Sequence, residues 1–130
     1  MFVLTSLRSV LGRVRSLSTA KEGLRHWWVQ RLTALALIPL TVWFVVSLIS
    51  LVGVGHNAFV LWLANPINAT AMILFLAIAF HHTQLGVQVV LEDYVTSLPI
   101  RTASIILVKL LCFGLSAVGI LSVLIVTFGV

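Results

Sequence analysis

Three long apolar runs dominate the chain and are separated by short stretches of helix-breaking or polar residues. They cover residues 32–54, 67–91 and 102–130, and the second run continues past Phe80 through a polar stretch. Each run exceeds the ~20 residues that an α-helix needs to cross ~30 Å of hydrocarbon. The pattern therefore predicts an all-α membrane protein with three transmembrane helices, the first two joined by a short loop over residues 55–66.

The composition excludes a soluble domain. Of the 130 residues, 61% are hydrophobic and 8% are charged, and the mean hydropathy is +1.20. Soluble domains usually have about a quarter of their residues charged. The single cysteine, Cys112, lies inside the third run, which excludes a disulfide framework and a CxxC redox motif. We interpret it as a packing residue.

The basic residues are concentrated before the first apolar run, whereas the loop over residues 55–66 has no charge. The positive-inside rule then places the N-terminus in the cytoplasm, or in the matrix if the membrane is mitochondrial. The C-terminus is expected on the opposite side. The cations before the first run are Arg8, Arg13, Arg15, Lys21, Arg25 and Arg31.

We divide the chain into a basic N-terminal segment, residues 1–30, and a three-helix transmembrane anchor domain, residues 31–130. Apolar residues recur at helical spacing in this segment, but arginines at positions 8 and 15 border the stripe, so the amphipathic signal is weak. The stripe consists of Leu4, Leu7, Leu11 and Val14. We interpret the segment as retained on the cytoplasmic face rather than removed as a transit peptide. Its cations suit anionic lipid headgroups or an acidic partner surface, and nothing in it suggests binding to nucleic acid.

A polar stretch, HHTQLGVQVVLEDY at residues 81–94, interrupts the second run. Strongly polar side chains at membrane depth need a partner, a cavity or a cofactor. His82 and Asp93 are eleven residues apart and share one helix face, separated by about 16 Å along the axis. A packing histidine, a proton relay, a divalent metal site and a haem ligand all remain open, and the metal site is the weakest because position 86 is glycine.

Haem fits the pattern around His82 best. One neutral imidazole can supply an axial ligand, and the small residues Ala79 and Gly86 on the same face would leave room for a flat ring. His81 points about 100° away from His82, so the two cannot face each other across one iron. We therefore expect the second ligand from another polypeptide, which makes the chain part of a heteromeric helix bundle.

Asp93 and Tyr94 form a second polar pair, near the inner end of the second span. A tyrosine hydroxyl supported by a carboxylate can hydrogen-bond a carbonyl oxygen and transfer a proton to it, as quinone reduction requires. An ordinary interfacial tyrosine beside a helix-terminal acid explains the pair equally well.

Two stretches resemble the smaller membrane-anchor subunit of succinate dehydrogenase, respiratory complex II. One is HTQLG at residues 82–86 followed by the Asp93-Tyr94 pair; the other is KEGLRHWWVQRLTA at residues 21–34, as found in alphaproteobacterial members. The resemblance implies that His82 is an axial ligand to haem b, shared with a larger cytochrome b anchor subunit. It further implies that Tyr94, supported by Asp93, binds ubiquinone and that Arg31 faces a haem propionate.

By this resemblance the chain would hold a flavoprotein subunit and an iron–sulfur subunit at the membrane and form part of the ubiquinone-reduction site. It would not oxidise succinate itself, since it has no dinucleotide fingerprint and no cysteine cluster. A haem b anchor of a fumarate reductase and a haemless scaffold or assembly protein are the alternatives, and a small carrier is the weakest one. The expected location is the bacterial inner (plasma) membrane, with the mitochondrial inner membrane as the alternative.

Overall fold

The structure, a computed structural model, describes residues 2–129, and side chains at positions 2–9, 11, 16, 18 and 19 fall outside the description. The three leucines of the stripe expected in the N-terminal segment lie among these undescribed side chains, whereas Val14 is described and exposed. The helices are α1 (Phe2–Ser50), α2 (His56–Ala64), α3 (Pro66–Tyr94) and α4 (Leu98–Phe128). Over residues 2–129 the remaining backbone is turn and loop, without a strand.

Three of these helices contain segments that are long and apolar enough to cross a membrane: Gly12–Ser50, Pro66–Tyr94 and Leu98–Phe128. The prediction of an all-α membrane protein with three spans is therefore confirmed. The bounds of α3 and α4 lie within four residues of the second and third apolar runs, because capping residues rather than hydropathy decide where a helix begins. By contrast, α1 begins at Phe2, about 30 residues before the first apolar run, so the basic N-terminal segment is helical as well.

The bounds of α3 and α4 follow from local chemistry. The Asn65 side chain accepts a hydrogen bond from the backbone amide of Ile67 at 2.9 Å, and Pro66 occupies the first helical position, where its missing N–H costs nothing. Pro99 lies in the first turn of α4. Gly129 ends α4 at a φ of 68°, a left-handed conformation that glycine adopts without strain.

The stretch treated as a loop contains a helix, so that part of the prediction is wrong. Residues 56–64 form α2, which is bounded by Gly55 and Asn65. Leu63 of α2 is buried, and the indole of Trp62 stacks on that of Trp43 with ring centroids 5.9 Å apart. A nine-residue segment is too short to be stable as an isolated helix. Its helix depends on this tertiary packing, which the hydropathy pattern does not reveal.

The chain divides into two compact units, one up to Leu32 and one from Thr33 to the C-terminus. In the first unit, the indoles of Trp27 and Trp28 meet edge to face with centroids 5.1 Å apart. The Arg31 guanidinium lies 5.5 Å from the centroid of the Trp27 ring. The predicted functional division at residue 30 and the position of this segment on the cytoplasmic face stay predictions.

In the second unit, α3 and α4 form an antiparallel hairpin against which α2 packs. Leu63, Ala69 and Val123 form a small buried cluster that joins the three helices. At Gly119 the hairpin is tight, since an added Cβ would lie 3.2 Å from a methyl group of Leu76. The remaining part of α1 also packs on α3, and together these contacts position His82.

Candidate functional site

His82 is half-buried on α3, and a hydrogen bond joins it to another helix. Its Nδ1 atom lies 2.9 Å from Oγ1 of Thr33, which is 49 residues earlier in the chain. This contact uses one ring nitrogen and leaves Nε2 as the nitrogen available to a ligand. Thr33 lies in residues 21–34, the stretch that carries the family resemblance, and no pattern in the sequence predicts its contact with His82.

A groove of about 350 Å³ runs along α1 beside the His82 ring. All of its other lining residues come from one face of α1, and His82 supplies the imidazole. Two of the lining side chains, Ile38 and Val42, are 63% and 60% exposed, so the groove is open on one side. The groove is lined by Ala34, Leu37, Ile38, Thr41, Val42 and His82.

The groove has the chemistry that a haem slot needs on one side: aliphatic walls for the ring and one imidazole nitrogen for the iron. Its position differs from the expectation, because Ala79 and Gly86 do not line it. The α1 residues form the wall instead. An open face leaves room for a second polypeptide to complete the slot.

Within the described residues, no group of three or more His, Cys, Asp or Glu side chains could hold a metal ion. His82 is thus one nitrogen donor beside an apolar groove. A single nitrogen donor is what one axial position of haem requires, since a porphyrin supplies four donors in its plane and each axial position takes one more.

Asp93 and Tyr94 lie at the last turn of α3, both exposed, with Tyr94 exposed to 81%. They are about 16 Å along the helix axis from His82, so the chain does not bring the two predicted sites together. Within this turn, Glu92 is the acid whose side chain forms a hydrogen bond. Its carboxylate accepts a hydrogen bond from the side-chain amide nitrogen of Gln88 at 2.9 Å. The side-chain carbonyl oxygen of Gln88 in turn accepts one from the side-chain amide nitrogen of Gln84 at 3.0 Å.

This series of three side chains, which we call the glutamine ladder (Gln84, Gln88 and Glu92), runs along one face of α3. The spacing of four residues places successive side chains on adjacent turns. All three residues belong to the polar stretch 81–94, and none was predicted to have a role. Their i, i+4, i+8 spacing is the signal that could have revealed the ladder. Nη1 of Arg101 approaches the backbone carbonyl of Glu92 at 3.5 Å and so links the ladder end to α4.

His81 lines a different cavity, of about 540 Å³, between α3 and α4. The two histidines therefore face separate sites, as their angular separation predicted. Arg31 lies in the first unit, with its side chain exposed and stacked on Trp27. Its assignment to a haem propionate stays a prediction.

Comparison with known proteins identifies the family. Residues 5–128 match the succinate dehydrogenase/fumarate reductase transmembrane subunit family. The succinate dehydrogenase hydrophobic membrane anchor subunit of Rickettsia conorii is 33% identical over 101 residues, which cover 77% of this chain and 80% of the relative. The corresponding subunit of Rickettsia bellii is 31% identical, with 79% and 82% covered.

A third relative, the succinate dehydrogenase membrane anchor subunit of Reclinomonas americana, is 30% identical, with 70% of this chain and 78% of the relative covered. No solved structure gave a significant match. Three spans and a family match over nearly the whole length confirm the resemblance noted from the sequence. The chain is an integral membrane protein that belongs to the succinate dehydrogenase/fumarate reductase transmembrane subunit family.

Proposed function

We propose that this chain is the membrane-anchor subunit of a succinate:ubiquinone oxidoreductase. In this role it fixes a flavoprotein subunit and an iron–sulfur subunit to the membrane, supplies one axial ligand to haem b and forms part of the ubiquinone-reduction site. The names of the relatives, all succinate dehydrogenase anchor subunits, support this assignment over a fumarate reductase anchor. They also favour an anchor subunit over an assembly protein.

The observation that carries the haem part of the proposal is the hydrogen bond between Thr33 and His82 beside the groove. An axial imidazole must present an unprotonated nitrogen to iron, so Nε2 carries the lone pair and Nδ1 carries the proton. The Nδ1–H group then donates to Oγ1 of Thr33. Such a second contact fixes both the tautomer and the ring orientation of a metal-binding histidine.

A haem bound in this groove would supply one-electron transfer at its iron. The chain's own contributions are the imidazole of His82, held by Thr33, and the aliphatic wall of α1, which excludes water from one face of the ring. The exposure of Ile38 and Val42 leaves the other side for a second subunit. We assign that position to a larger cytochrome b anchor subunit, which brings the second axial ligand.

The ubiquinone part of the proposal rests on Asp93 and Tyr94. Both side chains are exposed at the end of α3, where they are free to meet a quinone and the soluble subunits. The Tyr94 hydroxyl would donate a hydrogen bond to a quinone carbonyl oxygen, and Asp93 would orient or reprotonate the phenol. Arg31 is proposed as a cationic partner for a haem propionate, which its guanidinium can bind through two parallel hydrogen bonds.

We place the chain in the bacterial inner membrane with its N-terminus in the cytoplasm. The excess of cations before the first span and the uncharged residues 55–66 support this orientation. The α3–α4 connection and the Asp93-Tyr94 pair then lie on the cytoplasmic side, where succinate and the soluble subunits are found.

The proposal is tested by purifying the complex from native membranes through a tag on this chain. We expect a flavoprotein, an iron–sulfur protein and a second hydrophobic subunit to co-purify, with succinate:ubiquinone reductase activity and haem b. A chain that purifies alone, without haem, would contradict the proposal and favour a scaffold.

A further inference from the structure

The charged residues at the α3–α4 connection lie against the dipoles of their own helices. The last turn of α3 contains Glu92 and Asp93 and no basic residue, although carboxylates are disfavoured at a helix C-terminus. The first turn of α4 contains Arg101 and no acidic residue, although a cation is disfavoured at a helix N-terminus. Both placements become favourable when the two turns lie side by side, and only residues 95–97 separate the two helices.

Arg101 makes the contact between these two turns, and its side chain is half-buried. Its Nη1 atom lies 3.5 Å from the backbone carbonyl oxygen of Glu92, which is one of the last four carbonyls of α3 and has no acceptor role inside that helix. Because 3.5 Å is long for a hydrogen bond, the attraction between the guanidinium charge and the negative end of α3 supplies much of the interaction. Arg101 is thus a capping cation for α3 that α4 provides.

The capped turn is held from its own helix as well. The Glu92 carboxylate accepts a hydrogen bond from Gln88 at 2.9 Å, at the end of the glutamine ladder. Glu92 is therefore fixed through its side chain by α3 and through its backbone by α4. Asp93 and Tyr94 follow it directly, and Tyr94 is 81% exposed. The direction of the phenol consequently depends on the backbone of this turn and not on side chains packed around the ring.

We propose that Arg101 is a positioning residue for ubiquinone reduction, an inference that rests on the quinone role proposed above for Tyr94. Its guanidinium keeps the last turn of α3 helical, and this turn sets where the Tyr94 hydroxyl points. Helix ends fray when their carbonyls lose their partners. A frayed turn displaces the hydroxyl from the quinone carbonyl, because a hydrogen bond tolerates only small changes in distance and angle. In this arrangement Arg101 itself does not contact the quinone.

The test uses the complete complex, purified through this chain, with rates expressed per flavin and a short-chain ubiquinone as the acceptor. Arg101→Met removes the cation and keeps an unbranched side chain. We expect kcat/KM for ubiquinone to fall about fivefold, mainly through a higher KM, as the loss of one hydrogen bond to a charged group implies. Arg101→Lys should restore most of it, because the cation is retained. Succinate oxidation with a water-soluble artificial acceptor should be unchanged in both variants.

Lys109→Met is the matched control, because it removes a cation of α4 eight residues further along the helix, where the side chain lines the cavity beside His81. Its KM for ubiquinone should equal that of the wild type. Arg101→Gln, which also loses the charge, serves if Arg101→Met does not assemble, and the same fall in kcat/KM is expected.

A double-mutant cycle with Tyr94→Phe separates positioning from an independent role of Arg101. If Arg101 acts through the phenol, adding Arg101→Met to Tyr94→Phe should change kcat/KM by less than about twofold, because the two residues then act as one unit. Effects that multiply would overturn the inference, and so would a wild-type kcat/KM in the Arg101→Met or Arg101→Gln complex. A loss of quinone reduction in Tyr94→Phe with normal Arg101 variants would refute only this inference. Wild-type quinone reduction in Tyr94→Phe would refute the proposed quinone role together with it.

Discussion

At the scale of single residues, the chemistry of His82 depends on a partner far away in the chain. The sequence made His82 conspicuous because a histidine inside an apolar run is costly without a role. Thr33 could not be predicted in the same way, since its contact with His82 depends on which face of α1 meets α3. That pairing spans 49 residues and leaves no periodic signal in the sequence.

Thr33→Val removes the hydroxyl while keeping the shape of the side chain. Without an acceptor at Nδ1 the imidazole becomes a weaker electron donor, which favours ferrous over ferric haem. We expect the midpoint potential of the haem to rise by roughly 20–60 mV, as the loss of one hydrogen bond implies, and Thr33→Ser to restore it. A redox titration of the purified complex measures this change.

Thr41→Val is the control for this measurement, because Thr41 lines the same groove and has no hydrogen bond to His82. Its haem should titrate as in the wild type. Equal shifts in the two valine variants would show that the groove responds to polarity in general and that Thr33 does not act through His82.

Tyr94→Phe tests the quinone assignment. The side chain is 81% exposed in the chain, so the loss of its hydroxyl should not disturb folding. We expect succinate:ubiquinone reduction to fall about tenfold or more, since one proton donor is removed. Succinate oxidation with a water-soluble artificial acceptor should persist, and a parallel loss of both activities would point to an assembly defect.

At the scale of elements, the three spans could be predicted because length and hydropathy alone determine them. The short helix α2 could not, since its stability comes from the burial of Leu63 and the stacking of Trp62 on Trp43. The predicted position of the groove beside His82 was also wrong. Small residues on α3 suggested a slot beside Ala79 and Gly86, whereas the packing of α1 against α3 creates it along α1.

The α3–α4 hairpin provides a packing test at Gly119. An added Cβ already lies 3.2 Å from Leu76, so Gly119→Leu should overpack the hairpin and cost about 1–3 kcal/mol. The measurement is the thermal unfolding midpoint of the purified complex. Gly114→Leu is the control, because no described residue beyond its own helical turn lies within 4 Å of a Cβ at that position. A larger loss there would instead show that α4 packs on another subunit through Gly114.

At the scale of the whole molecule, the chain depends on what surrounds it. Among the described residues, buried apolar side chains are restricted to Leu63, Ala69, Leu85 and Val123, and none of the large ones is fully buried. A chain with 61% hydrophobic residues and so small a core must place its apolar surface against lipid and other subunits. The open groove beside His82 and the cavity beside His81 agree with this requirement.

The central claim, that His82 binds haem b within an anchor complex, is tested most directly by a dithionite-reduced minus oxidised visible spectrum. The purified wild-type complex is compared with His82→Ala and His81→Ala. We predict a sharp b-type band in the wild type and in His81→Ala, and its loss in His82→Ala while the co-purifying subunits remain. An unchanged band in His82→Ala, or its loss only in His81→Ala, would contradict the assignment.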